Sequence, residues 1–162
     1  MEQLTIEKAS IADAEVIYAM QIKAFQPLLD KYQDFETSPA NEQFQRTIDR
    51  LHQLQTDYYV IFYESIPVGA IRIVNKDNHR HRVSPIFILP EYQGKGIAKL
   101  VMRMVEEMYR DAIVWELDTI FEEQKLCGLY ESLGYVATGE ITKINNQLTI
   151  VFYEKKLILD KK

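Results

Sequence analysis

A chain of 162 residues, 47% hydrophobic and 27% charged, has the size and make-up of one soluble globular domain with a sizeable core, which sets fibrous and disordered classes aside. Its formal net charge of −5 argues against a nucleic-acid partner and favours a neutral or cationic substrate, although acids spread over the surface for solubility explain the same balance. The single Cys127 excludes an internal disulfide, MEQLTIEKAS lacks an apolar signal core, and no run of about 18 apolar residues occurs, so a cytoplasmic protein away from membranes is expected.

Leu4 and Ile6 alternate with polar positions and predict a first strand. Ser10 reads as an N-cap, and Ile11, Ala14, Ile17, Tyr18, Ile22 and Phe25 recur at helical spacing up to Pro27. The stretch LLDKYQDFETSPAN has no clear period and reads as a long connection. A second helix is expected over about Glu42 to Leu54, with Phe44, Ile48, Leu51 and Leu54 on one face. DYYVIFYE and VGAIRIVN predict two strands joined by a turn at Ser65, Ile66 and Pro67. KDNHRHR follows as a loop, then the apolar run VSPIFIL. Residues 96 to 110 predict an amphipathic helix with Ile97, Leu100, Val101, Met104, Val105 and Met108 inward. IVWELDTI reads as a strand and QKLCGLYESL as a helix, with Gly128 an awkward guest inside it. YVATGEITKI and LTIVFYEKKLIL close the chain as a hairpin around Asn145, Asn146 and Gln147. The order βααβββαβαββ describes one α/β (α+β) domain over residues 1–162 with a mostly antiparallel sheet and about four flanking helices.

The stretch LPEYQGKGIAKL, residues 89 to 100, stands between a strand and a helix. Gly94 and Gly96 there leave backbone N–H groups open to close approach at the positive end of a helix dipole, an arrangement suited to a phosphate. A tight strand-to-helix turn would also use glycines. Lys95 precedes Gly96, so a P-loop does not fit, and Lys99 occupies the third glycine position of a dinucleotide fingerprint. His79, Arg80, His81 and Arg82 lack Cys or acid ligands at a recognised spacing, so they are read as a solvated turn and strand start, and no metal is expected. Cys127, without a nearby Ser or His motif, reads as buried filler.

Gln93-x-x-Gly96-x-Ala98, preceded by Ile88-Leu89-Pro90, resembles the acetyl-CoA signature of the GNAT N-acetyltransferases. The element order of the chain resembles that fold, and Leu129-Tyr130-Glu131-x-Leu133-Gly134-Tyr135 is similar to the family's LYEKLGF element. The resemblance implies a central sheet of about seven strands, splayed beside residues 86 to 89. It implies acetyl-CoA as cosubstrate, its pyrophosphate on Gln93, Gly94, Lys95, Gly96, Ile97, Ala98 and Lys99 and its pantetheine arm along Phe87 and Ile88. It also implies Tyr130 as general acid toward the departing thiolate, since a phenol stays protonated at neutral pH. The family commonly has Asn where this chain has Glu123, which leaves one cofactor contact in question.

Attack on a thioester needs a neutral amine, a donor for the oxyanion and a proton for the leaving group. Glu116 and Asp118, two apart on a strand, point to one face and are candidates for relaying the amine proton. Tyr32, Asp34 and Glu36, in the connection between the first two helices, are candidates for holding a cationic acceptor, with Phe35 beside them; an ordinary polar loop would look the same. The expected activity is acetyl transfer to a primary amine of a small molecule such as a polyamine, an aminoglycoside-like compound or an amino acid. A protein amine as acceptor, a silent acyl-CoA-binding module and a homodimer stay open.

Overall fold

A computed structural model of the chain describes residues 3–157. Strand β1 spans Leu4–Lys8, after which Ser10 and Asp13 form a reciprocal capping box: the Ser10 side chain accepts from the backbone and the Asp13 carboxylate accepts from the Ser10 N–H. Helix α1 then runs over Ala14–Tyr32. It passes through Pro27, where the sequence predicts an end. An interior proline costs about 3 kcal/mol, and burying Leu29 and Tyr32, each worth roughly 1.5–3 kcal/mol, outweighs that. Gln33 stops the helix in a left-handed conformation.

Helix α2 is shorter than expected, Phe44–His52, and leaves Leu54 outside it at 86% exposure. Glu42, expected as its first residue, instead accepts two hydrogen bonds from Arg50 at 2.7 and 3.1 Å and one from Gln21 at 2.8 Å. Strands β2, Thr56–Tyr63, and β3, Ile66–Lys76, turn at Glu64 and Ser65, both at positive φ, one residue before the predicted turn. Strand β4 covers Arg80–Ile88 and therefore starts inside the expected loop. Its early start buries His81 against Trp115, correcting the reading of that histidine as solvated.

Helix α3 is Ile97–Met108, strand β5 Val114–Ile120, helix α4 Gln124–Ser132, and strands β6 and β7 are Val136–Lys143 and Thr149–Lys156. The end of the predicted last strand, past residue 157, lies outside the described residues. On α3, Met102 is buried where Met108 was expected inward; the helix ends at Met108, which is half exposed.

The seven strands form one mixed sheet in the order β1-β2-β3-β4-β5-β7-β6, antiparallel except for the parallel β4–β5 pair. Two cores cover it. On one face Ile17, Met20 and Ala24 of α1 pack on Tyr58, Val60, Ala70 and Phe87. On the other, Ile97, Val101, Met102 and Val105 of α3 and Cys127 and Tyr130 of α4 pack on Ile71, Ile73, Val83, Ile88, Trp115 and Leu117.

The centre of the sheet is open, as the predicted splay requires. Ile73 faces Val83 while Ile71 faces Ile86, so two steps along β3 answer three along β4. The extra residue is a bulge at Ser84 and Pro85, which bends β4. Pairing of β4 with β5 stops at Arg82 and Glu116, and from Val83 to Ile88 the two strands part.

Gly69 faces Ile88 across this bent segment, and a Cβ on it would lie 2.1 Å from the Phe87 carbonyl oxygen. Gly128, on the exposed face of α4, would meet nothing within 4 Å. Alanine therefore has opposite effects at the two sites. In urea unfolding, Gly69→Ala should lose about 2 kcal/mol or more, because backbone must move, whereas Gly128→Ala should gain about 0.5–1 kcal/mol from helix propensity. Equal shifts at both positions would contradict the close β3–β4 approach.

Candidate active site

Where β4 ends, Pro90–Tyr92 makes a single 3-10 turn and the chain enters α3 through Gly94 and Gly96, at φ 76° and 81°. Left-handed backbone is cheap only for glycine. A Cβ on either residue would meet nothing within 4 Å, so the space above the loop is open. Gly96 caps α3 without any side-chain acceptor, which leaves the N–H groups of Ile97, Ala98 and Lys99 without helical partners. Lys95 is exposed beside them. Such a loop can take a multiply charged anion on backbone N–H groups and the helix dipole.

Gln93 has a different task from its neighbours: its side-chain amide donates to the Ile88 carbonyl at 2.8 Å, tying the glycine loop to the end of β4. The Leu89 N–H donates to Val68 on β3 at 2.8 Å. By the alternation of an antiparallel ladder, the N–H of Ile88 then points the other way, into the opening beside β5. Phe87 and Ile88 are both buried, one toward each core. Among the described residues β5 pairing does not reach Ile88, and a strand N–H without a strand partner at that depth can take an acceptor from a ligand.

Tyr130 sits in the same core as Ile88 and Ile97, 6% exposed, with its ring edge-on to Tyr135 at 6.0 Å. Burial pushes its pKa above the ordinary phenol value, and the nearby charge of Asp118 adds to the shift. The hydroxyl thus holds its proton throughout the neutral range. Cys127 is buried and its thiol points at the carbonyls of Ile120 and Phe121.

Glu116 and Asp118 share the α1–α2 face of β5, as the strand period predicts, but neither stands alone. Glu116 accepts from Lys76 at 2.8 Å and from the Arg80 Nε at 2.9 Å, and Asp118 pairs with Arg82 at 2.8 Å. Burial alone would raise the Glu116 pKa, yet the bonds from Lys76 and Arg80 outweigh it and hold the carboxyl below its usual range. A carboxylate so stabilised is a poor proton acceptor. Asp118 lies past the last β4–β5 pair, at the opening itself, and its charge reaches the Tyr130 hydroxyl from the other side of the sheet.

Tyr32 departs from expectation. It is the last residue of α1 rather than a loop residue, it is buried, and its hydroxyl donates to Glu123 at 2.5 Å. Glu123 also pairs with Lys31 at 2.7 Å, and the Tyr32 carbonyl accepts from the Asn145 side chain at 3.0 Å. Tyr32 thus staples the end of α1 to the start of α4 and to the β6–β7 turn, and its side chain is not free to hold an acceptor. Asp34 is half-buried and accepts from the Thr37 hydroxyl at 3.0 Å, while Phe35 and Glu36 are exposed. Among the described residues, no three His, Cys, Asp or Glu side chains gather as metal ligands.

Known proteins share this fold. The sequence profile of the acetyltransferase (GNAT) domain matches residues 13–157. A curated relative, the uncharacterized protein YrkN of Bacillus subtilis, is 26% identical over 62 residues, 38% of this chain and only 34% of that protein. Among solved structures, the spermidine N-acetyltransferase of Vibrio cholerae in complex with CoA and spermine superimposes with a TM-score of 0.76 at 19% identity, covering 96% of each chain. The ribosomal-protein-S18-alanine N-acetyltransferase of Escherichia coli superimposes with a TM-score of 0.78 at 12% identity, covering 98% of this chain and 97% of that one.

The staple at Glu123 has a pH signature. Hydrogen bonds from Lys31 and then Tyr32 hold its carboxyl below the ordinary value of 4.5. A depressed pKa contributes stability that is present above the unfolded value and is lost as pH falls through the folded one. Glu123→Gln should therefore be about 1 kcal/mol less stable than the parent at pH 7, with the gap closing below about pH 4.5. Denaturant midpoints at several pH values check this; a gap that persists unchanged in acid would rule out the ionised staple.

Proposed function

As a member of the GNAT acetyltransferase family, to which the chain belongs over residues 13–157, this protein is, we propose, an N-acetyltransferase that moves acetyl from acetyl-CoA to a primary amine of a small molecule. One observation carries the reading: the open glycine loop and the free first turn of α3 stand directly beside a sheet whose central strands part. The loop from Gly94 to Lys99 would hold the pyrophosphate through its N–H groups, with Lys95 as an exposed charge. Gln93 would act one step back, by fixing the loop to Ile88. The Phe87–Ile88 backbone would run along the pantetheine arm, and the Ile88 N–H would polarise the thioester oxygen.

In the reaction the amine lone pair attacks the thioester carbonyl, a C–N bond forms, and the C–S bond breaks. The thiolate takes its proton from the Tyr130 hydroxyl, which burial keeps protonated, and the proton the attacking nitrogen sheds as it becomes the amide restores the phenol. The ammonium proton of the acceptor leaves through water toward the opening. Asp118 is the acid at that edge, while Glu116 is committed to Lys76 and Arg80. Half-buried Asp34 and exposed Glu36, on the connection after α1, add negative charge that favours an approaching ammonium group.

Two variants test separate parts of this. Gly96→Glu puts a side chain and a negative charge into the space meant for pyrophosphate and should weaken acetyl-CoA binding at least tenfold, about 1.4 kcal/mol, by calorimetry on folded protein. Tyr130→Phe keeps the ring and its packing but removes the proton, so kcat should fall by about 10²-fold while acetyl-CoA affinity holds. Unchanged affinity in the first variant would remove the phosphate cradle. Unchanged kcat in the second, with chemistry rate-limiting, would return Tyr130 to a packing role.

A further inference from the structure

A broad, open cavity of about 640 Å³ lies between α2 and the bulged part of β4, lined by Arg46, Arg50 and Arg72, by the single acid Asp49, and by His52, Gln53 and Ser84. Its chemistry runs against the net charge of the chain. Arg72 is only 7% exposed, yet both of its bonded groups reach neutral acceptors: Nη1 donates to the Ser84 carbonyl at 2.8 Å and Nη2 to the Gln53 side-chain oxygen. Its Nε is buried without a partner among the described residues, as is the hydroxyl of Tyr58, which faces Arg72 across the β2–β3 pair. A buried guanidinium normally has a carboxylate beside it. This one has none among the described residues.

The neighbouring charges do not supply the missing anion. Arg50 is taken by Glu42. Asp49, the one acid in the lining, accepts from Gln45 at 2.9 Å and makes no ion pair with Arg46 or Arg72 among the described residues. Arg46 is exposed and has no ion pair among the described residues. Three arginines against the single Asp49 give the lining a net positive potential; burial lowers the pKa of Arg72 and the charges of Arg50 and Arg46 push the same way, while Tyr58 and Glu42 oppose them.

Place decides what that potential is for. Ser84, in the cavity wall, is two residues beyond Arg82, where β4 takes its last partner on β5. Arg82, Glu116 and Asp118 lie on the same face of the sheet, but their charges cancel in pairs. We propose that this cavity holds a carboxylate or phosphate group carried by the amine acceptor, gripped by Arg46 and Arg72 while the amine reaches the opening between β4 and β5. The proposal rests on the acetyltransferase reading above and narrows it from amines in general to amines bearing an anionic group. Ser84 and Ile88 are four residues apart, about 13 Å along an extended strand, so a flexible spacer between amine and anion fits better than an α-amino acid.

The test compares acceptors of one spacer length: 6-aminohexanoate, 6-aminohexyl phosphate, 1-hexylamine and 1,6-diaminohexane, each assayed by CoA release with the parent and with Arg46→Glu. Arg46 is exposed and unpaired, so the variant should fold, and its acetyl-CoA affinity serves as the check. The expected result is at least about a tenfold higher kcat/KM for the two anionic acceptors in the parent, lost or reversed in Arg46→Glu, as for a charge-assisted contact. Acceptors used equally well, or a preference that ignores Arg46, overturn the proposal while leaving the acetyltransferase reading intact. A second arm measures thermal stabilisation by inorganic phosphate with CoA saturating, so that the glycine loop is occupied. A phosphate effect dependent on Arg46 without an acceptor preference makes the cavity a free-anion site and overturns its assignment to the acceptor. Absence of turnover with every amine, together with an Arg46-independent phosphate response, removes both readings.

Discussion

One extra residue in β4 governs the rest of this molecule. Without the bulge at Ser84 and Pro85, β4 would continue alongside β5 and the centre of the sheet would be closed by parallel hydrogen bonds. With it, the strands part after Arg82, and a line of backbone groups in the middle of the protein loses its partners. Such groups are expensive to leave unsatisfied. A fold that tolerates them over several residues has a reason to keep them accessible, and the free N–H groups at the start of α3 stand at the same opening.

Each core then has its own duty around that opening. On the α3–α4 side, Ile97, Val101 and Tyr130 lock the first turn of α3 and the phenol into one apolar cluster, so the glycine loop is flexible in sequence but anchored at its end. Gln93 completes the anchoring from the other direction through Ile88. On the α1–α2 side, packing is thinner and polar groups take over. Tyr32, Glu123, Lys31 and Asn145 join three separate segments by side-chain bonds. Glu123 is therefore a structural acid, holding the end of α1 against the start of α4.

Charge in this protein is local. The sheet face carrying Glu116 and Asp118 also carries Lys76, Arg80 and Arg82, so its acids are neutralised by cross-strand partners. Around the cavity, by contrast, Arg46 on α2 and Arg72 on β3 have no ion-pair partner among the described residues, and three arginines face a single aspartate. A net charge of −5 predicts solubility and long-range steering, but it says nothing about the sign of a particular cavity.

Periodicity and turn chemistry made most of the architecture legible from the sequence alone. The eleven helices and strands, their order and the open glycine loop follow from local patterns, because alternation, helical spacing and glycine conformations are decided within a few residues. The splay at β4 came through resemblance to a family, since nothing local in VSPIFIL announces a bulge. What only the tertiary structure decided depends on distant partners. Helix α1 crosses Pro27 because Leu29 and Tyr32 find a core beyond it, His81 is buried because β4 begins early enough to reach Trp115, and Tyr32 is spent on Glu123, 91 positions away. The arginine cavity was hidden for the same reason. Arg46 and Arg50 recur at helical spacing, but Arg72 joins them only when β3 passes under α2, and no single-sequence pattern encodes which cation will be left without an anion.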